Sequence, residues 1–462
     1  MQFDAQEWAA RQWASTALGD ARRTQVAVQM GTRMAADPQA SLPQQMQNPA
    51  ALKAAYRLLN NPQVTMDGLL QPHWEQTRTA ARWAAVVLLV QDTTELNYTA
   101  HRNKTGLGPV GDGKGRGLLL HSTLAVLPQT RTVLGVAHTQ VVLRRPAPHP
   151  APHWRRSPEG RLWETSVEAI GRPPPGVRWV HVSDAGSDIF TYLVACRTQG
   201  ADFVVRTNRN RKLRWEAHAP QAKRKKAQAL LDYVRSLPAQ PDSAYQVAVP
   251  AEKDHPAREA EVVLQWTAVT LPPPAQAPEP IRRNAPLLVT VLHIWEPHPP
   301  RRTKRVEWVL LSSQPITSRE DAYRVADWYT CRWLSEDYHQ CLKTGCRVER
   351  TQLDEGADVQ RLLGFLVPLA VRLLQLRQAA RDTPDVPAET QIDPLMVHVL
   401  RRKQGQAQEI LTLAEFWLGV ARLGGHQGRS GDGAPGWRTI WRGWHHLSDL
   451  TEGARFVLRD TS

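Results

Sequence analysis

Cysteine is scarce in this 462-residue chain: Cys196, Cys331, Cys341 and Cys346 are the only four. No two form a CxxC pair, so the spacing of a structural zinc site is missing, and the usage fits a reducing cytoplasm. Long apolar runs are missing too. The longest, Trp83 to Val90, is far too short to cross a bilayer and reads as a buried strand. The N-terminal MQFDAQEWAARQW lacks the basic-then-apolar order of a secretory signal, so none is expected. Acid is in deficit: 44 Asp and Glu against 58 Lys and Arg leave a formal net charge of +14. No internal repeat is visible.

At 42% hydrophobic residues the chain can bury real cores, and its length predicts two or three domains. The positive excess favours a polyanionic partner, with the phosphate backbone of nucleic acid first in line. The charge is clustered at 209–214 (RNRKLR), 223–226 (KRKK) and 301–305 (RRTKR). One such cluster is as readily a solvated loop; several in one chain shift the balance toward DNA.

The texture changes along the chain. Ala9 to Ala17, Arg23 to Ala35 and Pro49 to Leu59 read as helices with breaks at Gly19, Pro38 and Pro62. WAAVVLLVQD is then a strand ending at an acid, and Leu118–Leu127 with Thr132–Leu143 reads as a hairpin turning at Pro128-Gln129-Thr130. PAPHPAP (146–152) reads as a surface loop. VRWVHVSD is a second strand ending at an acid, and ADFVVRTN a third strand. From about 209 to 305 the alternation in YQVAVP, EVVLQW and LLVTVLHIW predicts a β-rich insertion. WVLLSS (308–313) is a strand, and one helix is expected over Ser318–Thr344, stopped by Gly345, with another over Val359–Ala380. Residues 381–394 read as a linker, and the remainder as Trp-rich helices broken by the Gly-rich loop at 424–436.

Three acids draw attention. Two-metal phosphodiester chemistry needs carboxylates from separate segments that converge, and Mg²⁺ prefers oxygen ligands. Asp92 and Asp184 sit at the expected strand ends, where a lone Asp is usually a cap. Tyr329, Arg332, Glu336 and Lys343 follow the spacing Y-x2-R-x3-E-x6-K. On an ideal helix these four fall within an arc of about 60°, while Cys331, Leu334, Tyr338 and Leu342 fall on a separate apolar face. Two strand-end acids and a helix carboxylate are the parts of a ribonuclease H-like site.

The segment DWYTCRWLSEDYHQCLKTGCRVERTQL resembles the YREK signature of the insertion-sequence-four family of DDE transposases. VLLVQDTTELNY resembles the family's first acidic segment and VHVSDAGSDIFTYL its second. LGDARRT and AAYRLLNNPQV are similar to its N-terminal domain, and RLLGFLVPLAVRLLQLR and ARLGG to its C-terminal third. The resemblance implies an α/β fold. A ribonuclease H-like core with a mixed five-stranded sheet would carry the β-rich insertion (about 209–305). That core would span 69–380, between a helical end-binding domain (1–68) and a helical dimerisation domain (381–462).

It further implies Asp92, Asp184 and Glu336 as catalytic ligands of two Mg²⁺ ions, with Mn²⁺ as a substitute. Tyr329, Arg332 and Lys343 would grip phosphates around a DNA hairpin, Trp308 would stack on a flipped base, and Arg206 would contact phosphate near the centre. Arg22, Arg23 and Arg57 would touch the transposon end. The partners implied are double-stranded DNA, both transposon ends and target, and a second copy of the chain in the DNA complex, with no membrane. The setting implied is a bacterial cytoplasm, at the nucleoid. One departure stands out: where the family has Arg-Glu-Ala-Asp after its second aspartate, this chain has Ala185-Gly186-Ser187-Asp188. A nuclease without strand transfer, or a DNA-binding regulator derived from a transposase, are the competing readings.

Overall fold

Side-chain caps start the first helices. A computed structural model of the chain describes residues 3–144, 158–214, 229–249, 258–301, 303, 305–405, 410–429 and 435–460. Asp4 accepts from Gln6 N and Glu7 N to open α1 (Ala5–Trp13), and Asp20 opens α2 (Ala21–Ala36). A short α3 (Leu42–Met46) leads to α4 (Pro49–Leu59), which has Asn48 as its cap and Pro49 at its first position. Thr65 caps α5 (Met66–Ala80). Each such cap is worth about 1 kcal/mol. The apolar sides of these helices do not close on themselves. Trp13 is fully buried, packs against Phe365 with ring centroids 5.1 Å apart, and donates Nε1–H to the Gly364 carbonyl.

The sheet begins with β1 (Val86–Asn97), β2 (Gly108–Val110), β3 (Gly115–Val126) and β4 (Val133–Val142). β1, β3 and β4 make an antiparallel meander through the hairpin turn read from Pro128. After α6 (Pro158–Ile170), β5 (Arg178–Ser183) lies parallel to β1; after α7 (Phe190–Thr198), β6 (Asp202–Arg206) lies parallel to β5. The order β4-β3-β1-β5-β6, antiparallel on one side and parallel on the other, is the ribonuclease H-like arrangement.

The insertion supplies α8 (Leu230–Arg235), β7 (Tyr245–Val249), β8 (Arg258–Leu271), α9 (Glu279–Arg282) and β9 (Leu287–Trp295), and β10 (Glu307–Ser312) returns beside β6. β9 pairs with β10 and β8 with β9, so the insertion extends the same sheet, which has ten strands among the described residues.

α10 (Arg319–Thr330) and α11 (Trp333–Gln340) follow, then the long α12 (Gly356–Asp382), α13 (Pro394–Lys403), α14 (Leu413–Leu423) and α15 (Trp437–Asp460). α12 is apolar and long enough to cross a membrane by composition, but 78% of its most apolar window is buried inside the protein. It is the central core helix, touching α5, β4, α11 and α14.

Several expectations change. Trp83 is not in the strand: it lies in a 3-10 turn, 88% exposed, and β1 starts at Val86. The helix expected over Ser318–Thr344 is broken. Ser335 Oγ bonds the Arg332 carbonyl, a local contact that competes with the α-helical ladder. The backbone tightens there to three-residue bonds, Arg332 N to Tyr329 O and Ser335 N to Arg332 O. A π turn then occupies Cys341–Gly345. At Gly345 a Cβ would stand 2.9 Å from the Trp441 ring, so glycine there permits close packing of α15. The segment read as a linker is tied down: Ala388 N donates to Leu411 O and Leu413 N to Val386 O. The basic run at 223–226 and the loop at 146–152 lie outside the described residues, as do 302 and 304 of the 301–305 cluster and part of the Gly-rich loop.

Candidate active site

Asp92, Asp184, Glu336, Arg206, Tyr329, Arg332, Asn208 and Ala185 line one cleft of about 540 Å³. Four elements deliver them. Asp92 is inside β1, not at its end, but it is the first residue past the stretch where β1 pairs with β5. The two strands separate there, which opens the sheet at its carboxyl edge. Asp184 follows β5 directly and accepts a hydrogen bond from Gly186 N at 2.9 Å. It is thus a cap and a cleft residue at once. Glu336 projects from α11, and Arg206 is the last residue of β6.

Asp92 accepts from Thr93 N at 2.8 Å and from Ser335 Oγ at 2.9 Å. Arg332 ties the carboxylates together: its Nη2 is 2.7 Å from Glu336 and its Nη1 is 3.7 Å from Asp92. Burial pushes the Asp92 carboxyl above the usual carboxylate range, against the pull of Ser335, Thr93 N–H and Arg332. Burial also raises Asp184, the Asp92 charge adds to it, and Gly186 N–H, Arg332 and Arg206 oppose it. Two half-buried acids that repel each other are a site short of positive charge. Tyr329 is buried, which raises its phenol and keeps it a neutral donor; Arg332 and Arg206 face it.

The donors are all oxygen, the set that a hard divalent cation prefers, and a cation would relieve the mutual repulsion of Asp92 and Asp184. The residues present fit Mg²⁺ or Mn²⁺. Among the described residues no three His, Cys, Asp or Glu groups already form a ready ligand cluster. Glu336 is engaged by Arg332, and its side chain is 59% exposed.

Lys343 is not among the cleft-lining residues; the π turn places it beyond the end of α11. Trp308 sits on β10 beside the cleft, edge-on to Tyr329 at 5.5 Å and to Trp333 at 6.2 Å. Trp333 was not singled out from sequence, though it is 37% exposed. Ser335 and Asn208 were also missed, because a serine in a helix and an asparagine after a strand carry no signal alone. Arg22 is exposed at the start of α2, and Arg57 is exposed on α4 beside Lys53 and Asn61. Arg23 instead spends its guanidinium on the Leu18 carbonyl at 2.9 Å.

Local detail explains two of the sequence features. Asp188 is fully buried and holds Arg211 and Thr207, so Arg211 of the 209–214 cluster is structural while Arg209, Lys212 and Arg214 are exposed. At Gly186 a Cβ would come within 3.0 Å of Asp184 Oδ1, so a larger residue at 186 would press on the carboxylate that its own N–H holds. The cysteines are free and buried.

Residues 5–64 match a family model described as transposase DNA-binding, and residues 368–462 match one described as the transposase Tn5 dimerisation domain. Among solved structures, the cryo-EM structure of a piggyBac transposase synaptic complex with hairpin DNA is 10% identical. That match covers 84% of this chain and 78% of the other at a TM-score of 0.36. The two family matches point to a transposase with a DNA-binding segment near one end and a dimerisation segment near the other.

Proposed function

We propose that this chain is a cut-and-paste DNA transposase of the DDE type. It acts as a homodimer on the ends of its own element, cleaves them through a DNA hairpin and joins the 3′ ends to target DNA. The observation that carries the reading is the single cleft shared by Asp92, Asp184 and Glu336. The matches to transposase DNA-binding and dimerisation segments support it from both ends of the chain.

In this reading Asp92, Asp184 and Glu336 hold two divalent ions. When bound, such ions supply Lewis-acid activation of the attacking oxygen and neutralise charge at the phosphate. The protein's own groups do the rest. Ser335 and Thr93 N–H hold the Asp92 carboxylate in place. Arg206 and Arg332, in the same cleft, offer planar donors to phosphate oxygens, and the Tyr329 hydroxyl adds a neutral donor. Trp308 offers its face to an unstacked base, and Lys343 contacts phosphate further along the DNA as a point charge. Arg22 and Arg57, exposed on the N-terminal segment, contact the element's end in this reading, with Arg23 contributing only if it leaves Leu18. The proposed setting is the bacterial cytoplasm, at the nucleoid.

The test uses the DNA flanking the gene, where inverted repeats bounded by a short direct duplication identify the substrate. Asp92→Ala retains end binding in a gel shift and loses Mg²⁺-dependent cleavage. Appreciable cutting by that variant overturns the assignment. Covalent joining of cut ends to a target plasmid separates a transposase from a nuclease.

A further inference from the structure

The two acid-bearing strands have a second face, and it carries a buried polar chain that the chemistry above does not use. Gln91 precedes Asp92 on β1, so the two side chains leave opposite faces of the sheet. Gln91, His121 and His181 are fully buried. Thr93 Oγ1 is 2.8 Å from His121 Nδ1, His121 Nε2 is 3.2 Å from Gln91 Oε1, and Gln91 Nε2 is 2.7 Å from His181 Nδ1. These contacts link β1 to β3 on one side and to β5 on the other.

The chain has a direction. Burial lowers both imidazoles to about 3, so both rings are neutral near pH 7. One proton arrangement then satisfies every contact: Thr93 O–H donates to His121 Nδ1, His121 Nε2–H to Gln91 Oε1, and the Gln91 amide N–H to His181 Nδ1. His181 Nε2 ends the chain, buried and without a partner among the described residues. Trp163 closes over His121 edge-on at 4.6 Å. In the 3-10 turn just past β5 the Ser187 hydroxyl donates to the Asp184 carbonyl at 2.8 Å and lies 2.6 Å from Ser183 Oγ at the end of the strand, which anchors the backbone of the second acid.

Gln91 is the only member that touches both neighbouring strands. It bridges them one residue before β1 and β5 part and the two aspartates diverge. A change in its length or hydrogen bonding alters how far apart those strands sit at their carboxyl ends. We propose that Gln91 is a positioning residue for the metal-binding pair: through the directed chain Thr93–His121–Gln91–His181 it sets the separation of Asp92 from Asp184. The inference rests on the metal-binding reading of those acids given above.

The experiment is a Mg²⁺ titration of end cleavage with the full-length protein, run beside end-DNA binding and thermal melting. Gln91→Met keeps the side-chain volume and removes both hydrogen bonds. It raises the half-saturating Mg²⁺ concentration about tenfold, the effect expected for a partner behind a ligand. End binding is unchanged and cleavage recovers at high Mg²⁺. His181→Phe moves the midpoint likewise, and the double variant moves it no further, because one chain is broken once. If Gln91→Met does not fold, Thr93→Val removes the hydroxyl at the other end and shifts the midpoint in the same direction. A lowered melting temperature with an unmoved midpoint, or additive effects in the double variant, overturns the inference. Wild-type cleavage without divalent ion, or cleavage by Asp92→Ala, overturns the metal reading and this inference together. A normal wild-type Mg²⁺ response with an unmoved Gln91→Met midpoint overturns the inference alone.

Discussion

Arg332 Nη2 lies 2.7 Å from Glu336 Oε1, one helical turn away, and the same guanidinium reaches Asp92 at 3.7 Å. One cation therefore ties a helix carboxylate to a strand carboxylate within the cleft. It belongs to the spacing pattern read from sequence as a phosphate contact, yet in the folded chain its first partners are acids. It opposes the upward shift of both Asp92 and Asp184 and so favours their ionised forms.

Replacing Arg332 separates its two roles. Arg332→Gln removes the charge, so Asp92 and Asp184 rise further above the usual carboxylate range. Cleavage at neutral pH falls on the order of 10- to 100-fold, as for loss of a charge-assisted hydrogen bond, and the acid limb of the pH profile moves to higher pH. Arg332→Lys keeps the charge and loses the planar fork, so it restores the pH limb but only part of the rate. An unshifted limb in Arg332→Gln contradicts the electrostatic role.

Asp92 should cost stability in the absence of divalent ions. Its folded pKa is raised, so the folded state disfavours the ionised form. A raised pKa contributes stability only at low pH, and that contribution disappears as pH rises through the folded value. At pH 7 without metal, Asp92→Asn therefore melts higher than wild type. Below about pH 4, where the wild-type acid is protonated in both states, the two converge. Mg²⁺ at a hundred times its dissociation constant stabilises wild type by about 2.7 kcal/mol and leaves Asp92→Asn unmoved. Differential scanning fluorimetry across pH, with and without Mg²⁺, reads all three.

Trp308→Ala still nicks the element's end but accumulates little hairpin, because a stacking face worth about 1–3 kcal/mol per base is removed. Trp308→Phe recovers part of the yield. Denaturing gels resolve nick from hairpin, and a normal hairpin yield in Trp308→Ala removes the stacking role. Tyr329 and Trp333 lose an edge contact in Trp308→Ala, so a modest drop in melting temperature accompanies that change.

Asp337, next to Glu336, faces away from the cleft and joins α11 to the C-terminal helices. It accepts from Trp437 Nε1 and lies 3.5 Å from Arg377, whose guanidinium stands 4.0 Å over the Trp437 ring. Asp337→Ala strands two donors and destabilises the docking of α15 by about 1–3 kcal/mol. Hydrogen exchange then speeds up across Trp437–Asp460 while the strands carrying Asp92 and Asp184 stay protected. Uniform protection of α15 in the variant contradicts this coupling.

Much of this architecture was legible beforehand. The VVLLV run, the turn at Pro128, the strands YQVAV and LLVTVLHIW, and the apolar face of Cys331, Leu334, Tyr338 and Leu342 each follow from local pattern, and all are where it puts them, although LLVTVLHIW is buried on both faces rather than alternately. Trp83 was misread because an apolar residue beside a strand looks like part of it; only packing decides that it lies outside. Lys343 was placed by ideal helix arithmetic, which fails once the backbone tightens at Arg332 and widens at Cys341.

Periodicity, caps and the spacing of acids are local properties, so the chain alone specified its strands, its helix faces and the three carboxylates that line one cleft. The rest required contacts between residues far apart in sequence. Ser335 on Asp92, Arg332 between Asp92 and Glu336, Gln91 between two histidines, and Trp437 on Asp337 each join segments whose meeting no local pattern encodes. The fold decided which charges are buried together, and burial shifts the acids because a charge leaving water must be met by whatever the neighbouring elements bring to it.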